Sequence, residues 1–160
     1  MRYFFGLVAT FFLGCDDSFF FSWDGKWQLD TEKASFDFGE CQNDCLDAVS
    51  RVPVFFHVDV DYSSIFEDYV FCRIDCGKEC RNISGGLDGR FNRVDERSVL
   101  NLSGNVKFQS SKCNLLISNA RLILGKSSSK RISVELTGSG RNSLTKKRCN
   151  VTIFGEARRR

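Results

Sequence analysis

The chain has 160 residues, a net charge of +3, one histidine, one proline and eight cysteines. That length supports one hydrophobic core, and with a single proline, no repeat and no low-complexity block there is no sign of a linker between domains. The small net charge argues against a nucleic-acid partner, and no residue pattern calls for a cofactor.

The first fifteen residues set the context for the rest. Met1 and Arg2 precede an apolar run from Tyr3 to Leu13, then come Gly14 and Cys15. Eleven helical residues rise only about 16 Å, roughly half the hydrocarbon thickness of a bilayer, so the run is an export signal rather than a membrane span. Phe12-Leu13-Gly14-Cys15 resembles the lipobox of bacterial lipoproteins. Gly14 and Cys15 fit that pattern, while Phe12 and Leu13 stand where Leu and Ala or Ser are usual. The resemblance implies a signal peptide over 1–14, lipidation (typically including palmitate) at Cys15, a tether over 15–22 and a single β domain over 23–160, held at a bacterial cell membrane or outer membrane. Seven residues from Asp16 to Ser22 reach at most about 25 Å, so the domain would sit close to its membrane. Within them, Phe19, Phe20 and Phe21 are expected to cover an edge of the domain.

Gly25-Lys26-Trp27 opens the first expected strand. It resembles the Gly-x-Trp start of lipocalins and of the small lipocalin-like bacterial lipoproteins. The resemblance implies a glycine bend over a barrel floor, Trp27 as the plug of that floor, and an arginine from Arg158, Arg159 or Arg160 packed on it. The family's late Thr-Asp-Tyr is absent.

Cys41, Cys45 and Val49 are spaced for one face of a short helix or a stapled loop. After Pro53 the pattern alternates: Val54, Phe56, Val58, Val60 and Tyr62 form an apolar face, and Phe55, His57, Asp59 and Asp61 the other. His57, Asp59 and Asp61 are the one constellation suited to a metal, although neighbours on a strand face sit nearly 7 Å apart and need help from another strand. Ser64-Ile65-Phe66-Glu67 reads as a capping box, yet Tyr69 to Ile74 suits a strand equally.

The remaining disulfide candidates are Cys72, Cys76, Cys80, Cys113 and Cys149, beside Cys41 and Cys45. A Cys-x3-Cys spacing can also bind zinc, but an exported chain meets an oxidising compartment. With Cys15 lipidated the thiols number seven. Either one stays unpaired, or Cys15 is not lipidated and all eight pair.

From Gly85 onward alternating runs at Leu100 to Phe108, Asn114 to Leu124, Ile132 to Thr137 and Cys149 to Ile153 read as consecutive strands. Turn chemistry lies between them at 109–112, 125–130 and 138–142. The expected fold is all-β, an antiparallel meander, with a lipocalin-like barrel favoured over a disulfide-braced sandwich. In such a meander Cys113 and Cys149 begin strands two apart, about 9.5 Å, beyond bridging range. They should tie back instead to the Cys41 to Cys80 region.

Charge is polarised along the chain. Fifteen acidic and five basic residues lie between Asp16 and Cys80, against two and eleven between Arg121 and Arg160. In a closed sheet the first and last strands are neighbours, which favours intramolecular complementarity; the alternative is a basic face for anionic lipid or polysaccharide. Three sequons, at Asn82, Asn101 and Asn150, suit a secreted disulfide-rich glycoprotein. The leading expectation is a lipid-anchored, non-enzymatic envelope protein that binds a small apolar ligand inside its barrel. The alternative is a structural or interaction protein whose Lys146, Lys147 and Arg148 meet an anionic polymer.

Overall fold

A computed structural model describes residues 22–62, 67–92 and 99–160. The expected signal, Cys15 and most of the expected tether therefore lie outside the described residues, as does Ser64 to Phe66 of the expected capping box. The described chain forms strands β1 (Gly25–Leu29), β2 (Ser35–Asp37), β3 (Phe55–Asp61), β4 (Glu67–Asp75), β5 (Ile83–Asn92), β6 (Val99–Gln109), β7 (Asn114–Ser128), β8 (Arg131–Asn142) and β9 (Arg148–Arg159). One short helix, α1 (Gln42–Cys45), sits between two 3-10 turns, Gly39–Cys41 and Leu46–Ala48.

The strands pair in the order β1-β3-β4-β5-β6-β7-β8-β9, and β9 returns to β1, closing an eight-stranded antiparallel barrel of lipocalin-like form. β2 belongs to the course of β1. Trp27 to Leu29 face Arg159 to Ala157, and after a loop at Asp30 to Ala34 the chain resumes along the same strand as Ser35 to Asp37 against Phe154 to Thr152. Among the described residues closure leaves no long unpaired edge, the standing liability of antiparallel sheets.

Alternation makes the core. On β3, Phe56 and Val58 are buried, as is Val54 just before it, while His57 is half-buried and Asp59 exposed. On β4, Asp68, Val70, Cys72 and Ile74 point inward between exposed neighbours. β7 carries one extra residue relative to β6 and β8 at Ser118-Asn119, where both side chains are exposed. Such a bulge bends a strand and helps a sheet curl shut.

One expected turn proves to be strand, and another is strand except at Ser129 and Lys130, where the chain does turn. Gly138 to Asn142 lies inside β8, and β7 runs through Gly125 to Ser128. A Cβ at Gly138 would overlap Ile117 Cγ2, and one at Gly140 the carbonyl of Leu116. These glycines let β7 and β8 approach beside the bulge, and do not turn the chain.

Candidate functional site

The up-and-down course gives the barrel two distinct ends. Ser22 to Asp24, the β7–β8 turn and Arg158 to Arg160 gather at the end where β1 begins. The Gly39 to Val49 segment, the Cys76–Cys80 loop, residues 110–113 and the β8–β9 turn gather at the other.

At the end where β1 begins, Gly25 has φ of +128°, a left-handed conformation that L side chains rarely adopt, so the chain can bend there. Trp27 follows it into the barrel and is fully buried. Its Nε1 donates to the carbonyl of Trp23 at 3.0 Å. Arg159 lies over its ring, 4.7 Å from guanidinium carbon to ring centroid, and also donates to the carbonyl of Ser22. Of the three expected arginines, Arg159 is the one on the indole. Arg158 turns outward to Asp30, at 3.9 Å.

At the far end the expected helical face is present, with Cys41, Cys45 and Val49 all buried. Cys41 bridges to Cys149 and Cys45 to Cys113, pinning this segment to the starts of β9 and β7. Cys113 and Cys149 do not bridge each other. Phe38 enters the barrel beneath the segment and packs edge-on to Phe108, with centroids 5.2 Å apart. Gln42 locks the entry by accepting from the amide of Phe38 and donating to the carbonyl of Phe36. A fully buried residue that sequence analysis passes over, Asn142, completes the clamp. Its Oδ1 accepts from the amides of Asn114 and Leu144, and its Nδ2 donates to the carbonyl of Lys112. Buried asparagine at a strand end carries no periodic signal, so no pattern in the chain marks it.

The third bridge is local, Cys76 to Cys80. Cys72 is unpaired, buried on the inner face of β4, and burial pushes its thiol up to about 12, with Asp59 adding to the effect. Three bridges and Cys72 account for the seven thiols after Cys15. The Cys72, Cys76, Cys80 series thus splits between a strand interior and a loop staple.

Among the described residues Trp27, Phe56, Phe108, Leu115, Ile117 and Leu122 are buried and form a packed core, as in other small closed barrels, while Val60, further along β3, is only partly buried.

The polar face of β3 does not assemble a metal centre. His57 Nε2 lies 3.0 Å from Asp75 Oδ2 on β4, within ion-pair range though off the line of a hydrogen bond. Asp75 also takes Arg73 Nε at 3.2 Å and the amide of Gly77. Asp59 and Asp61 point to solvent, and among the described residues no three His, Cys, Asp or Glu side chains converge. The trio His57, Asp59 and Asp61 is therefore corrected to a structural pair, His57 with Asp75, because the nearest carboxylate lies across the ladder rather than along the strand. Nearby, Tyr69 donates to Asp88 at 2.5 Å, which raises its phenol pKa.

Charge polarity resolves partly as complementarity between early and late segments: Lys147 pairs with Asp44 at 3.0 Å and Arg158 with Asp30. Arg141, Lys146 and Arg148, by contrast, line one groove on the outer wall.

The fold and these sites define a closed, lipocalin-like, disulfide-clamped barrel. Comparison with known proteins finds no matching family model, no matching curated protein and no matching solved structure.

Proposed function

We propose that this protein is an exported, lipid-anchored envelope protein without catalytic chemistry, whose barrel is a rigid body that works through its outer surface. The observation that carries the reading is the close packing of the core among the described residues. It supports surface interaction over carriage of a small apolar ligand, which would have to displace core side chains such as Phe38, Phe56 and Phe108. Cysteine parity supports the anchor. Six of the cysteines after Cys15 are paired and the seventh is buried, so no described cysteine is left at the surface to pair with a further thiol. Three disulfides suit an oxidising compartment outside the cytoplasm. The tether end, with Trp27 and Arg159, then faces the membrane, and the clamped end faces away.

The experiment pairs detergent phase partitioning with native mass spectrometry of the purified protein. The protein should enter the detergent phase, Cys15→Ser should either leave it in the aqueous phase or block processing, and no stoichiometric non-covalent lipid should accompany the barrel. A processed, membrane-bound Cys15→Ser protein overturns the anchor. An apolar ligand that survives delipidation and leaves only on unfolding overturns the surface reading.

A further inference from the structure

On the outer wall at the clamped end, Arg141 of β8 and Arg148 of β9 stand directly opposite each other. Like charges facing across a strand pair weaken it, and neither arginine has a carboxylate partner among the described residues. Lys146, in the turn between the strands, has φ of +63°, the left-handed region that hairpin loops usually give to glycine or asparagine. Two backbone hydrogen bonds hold it there: its amide donates to the carbonyl of Asn142 at 2.8 Å, and the amide of Asn142 donates to the carbonyl of Lys147 at 2.9 Å. The local chain thus tolerates both a strained lysine and an unneutralised arginine pair.

The side chains are also arranged. Arg141 Nε donates to the carbonyl of Lys146 at 2.8 Å, which fixes the guanidinium and leaves its terminal N–H groups to other partners. Arg141, Lys146 and Arg148, with Ser139 and Gly140, line a shallow groove of about 370 Å³. Adjacent strands lie about 4.8 Å apart, so both guanidinium forks can address one small group between them. A single carboxylate presents two oxygens and one charge, whereas a phosphate group presents more oxygens and more charge, and so is better matched to two forks and an ammonium together.

We propose that Ser139, Arg141, Lys146 and Arg148 form a binding site for the phosphate groups of an anionic polymer. Lys147 lies outside it, since its ammonium is committed to Asp44. The site stands on the wall geometry, and only its direction, away from the membrane, rests on the anchor at Cys15.

The test is retention of the intact mature protein, in mild detergent, on immobilised inorganic polyphosphate, with polygalacturonate as the carboxylate comparator. Polyphosphate should retain it more strongly. The logarithm of affinity should fall against the logarithm of salt with a slope of about −2, as expected for three cations on a single-stranded polyanion. Arg141→Gln with Arg148→Gln should weaken retention by about tenfold or more, two charge-assisted contacts being lost. Lys147→Gln, or Lys130→Gln with Arg131→Gln at the opposite end of the barrel wall, should change it less than about twofold. Lys146→Asn should raise the melting temperature while weakening retention, a combination that a purely structural lysine would not give. Failure of polyphosphate to retain the protein, preference for polygalacturonate, or equal losses from the Lys130 and Arg131 changes would overturn the site. Partitioning of the same preparations into detergent reads the anchor separately, so either idea can fail while the other stands.

Discussion

The two clamping disulfides offer a perturbation whose size follows from their placement. Cys41 and Cys149 are separated by 108 residues and Cys45 and Cys113 by 68. In the chain-entropy model these loops, closed singly at 25 °C, are worth about 5 and about 4.5 kcal/mol. They are nested, however. With Cys45–Cys113 intact, Cys41–Cys149 closes a ring only as long as the difference between the two separations, about 40 residues, for about 4 kcal/mol. The local Cys76–Cys80 bridge, separated by 4 residues, is worth only about 2 kcal/mol. Single-domain stabilities run to about 5–15 kcal/mol, so a protein lacking either clamp should stay folded with a much lower midpoint, whereas loss of both, about 8 kcal/mol, should unfold most of the population. Urea unfolding of Cys41→Ala/Cys149→Ala, Cys45→Ala/Cys113→Ala and Cys76→Ala/Cys80→Ala measures this. If the Cys76 pair costs as much as either clamp, or if removing both clamps costs less than about 5 kcal/mol, the nested-loop reasoning is wrong.

Asn142→Ala leaves the partly buried amides of Asn114 and Leu144 without their acceptor, and should cost about 2 kcal/mol, with faster hydrogen exchange at those two amides. Arg159→Ala removes the cation over Trp27 and should cost about 1–2 kcal/mol and change tryptophan fluorescence, while Arg158→Ala, losing a half-exposed ion pair, should cost less than about 1 kcal/mol. Cys72 gives a pH dependence. Its folded pKa, about 12, lies above its ordinary value of 9.0, so as pH rises the unfolded state loses its proton first and stability falls from about pH 9 until the folded thiol ionises near 12. Between about pH 8 and 10.5 the parent should lose roughly 2 kcal/mol more than Cys72→Val in urea melts, and equal losses would place the thiol nearer solvent.

Much of the barrel is legible in the sequence because one buried face imposes a period of two. Val54, Phe56 and Val58 alternate with Phe55, His57 and Asp59 in the chain and in the wall alike. The meander order follows from short connections, and with it the exclusion of a Cys113 to Cys149 bridge. The glycines of β8 misled because glycine serves close backbone approach as well as turning, and only the neighbouring strand tells the two apart. Disulfide partners were legible as a region and not as pairs, since closure of β9 onto β1 and β2 decides which cysteines meet. The sites suffered most from reading along one strand. His57 finds Asp75 across a ladder rather than Asp59 two residues on, and Arg141 joins Arg148 through register, while Lys147, adjacent in sequence, turns to Asp44.

The most direct test of the account is the intact mass of the mature protein after unfolding and alkylation without reduction. The account predicts acyl mass on Cys15, one alkylated thiol, Cys72, and no alkylation of the other six cysteines. A chain with no acyl mass, no alkylated thiol and Cys15 drawn into a fourth disulfide would contradict it.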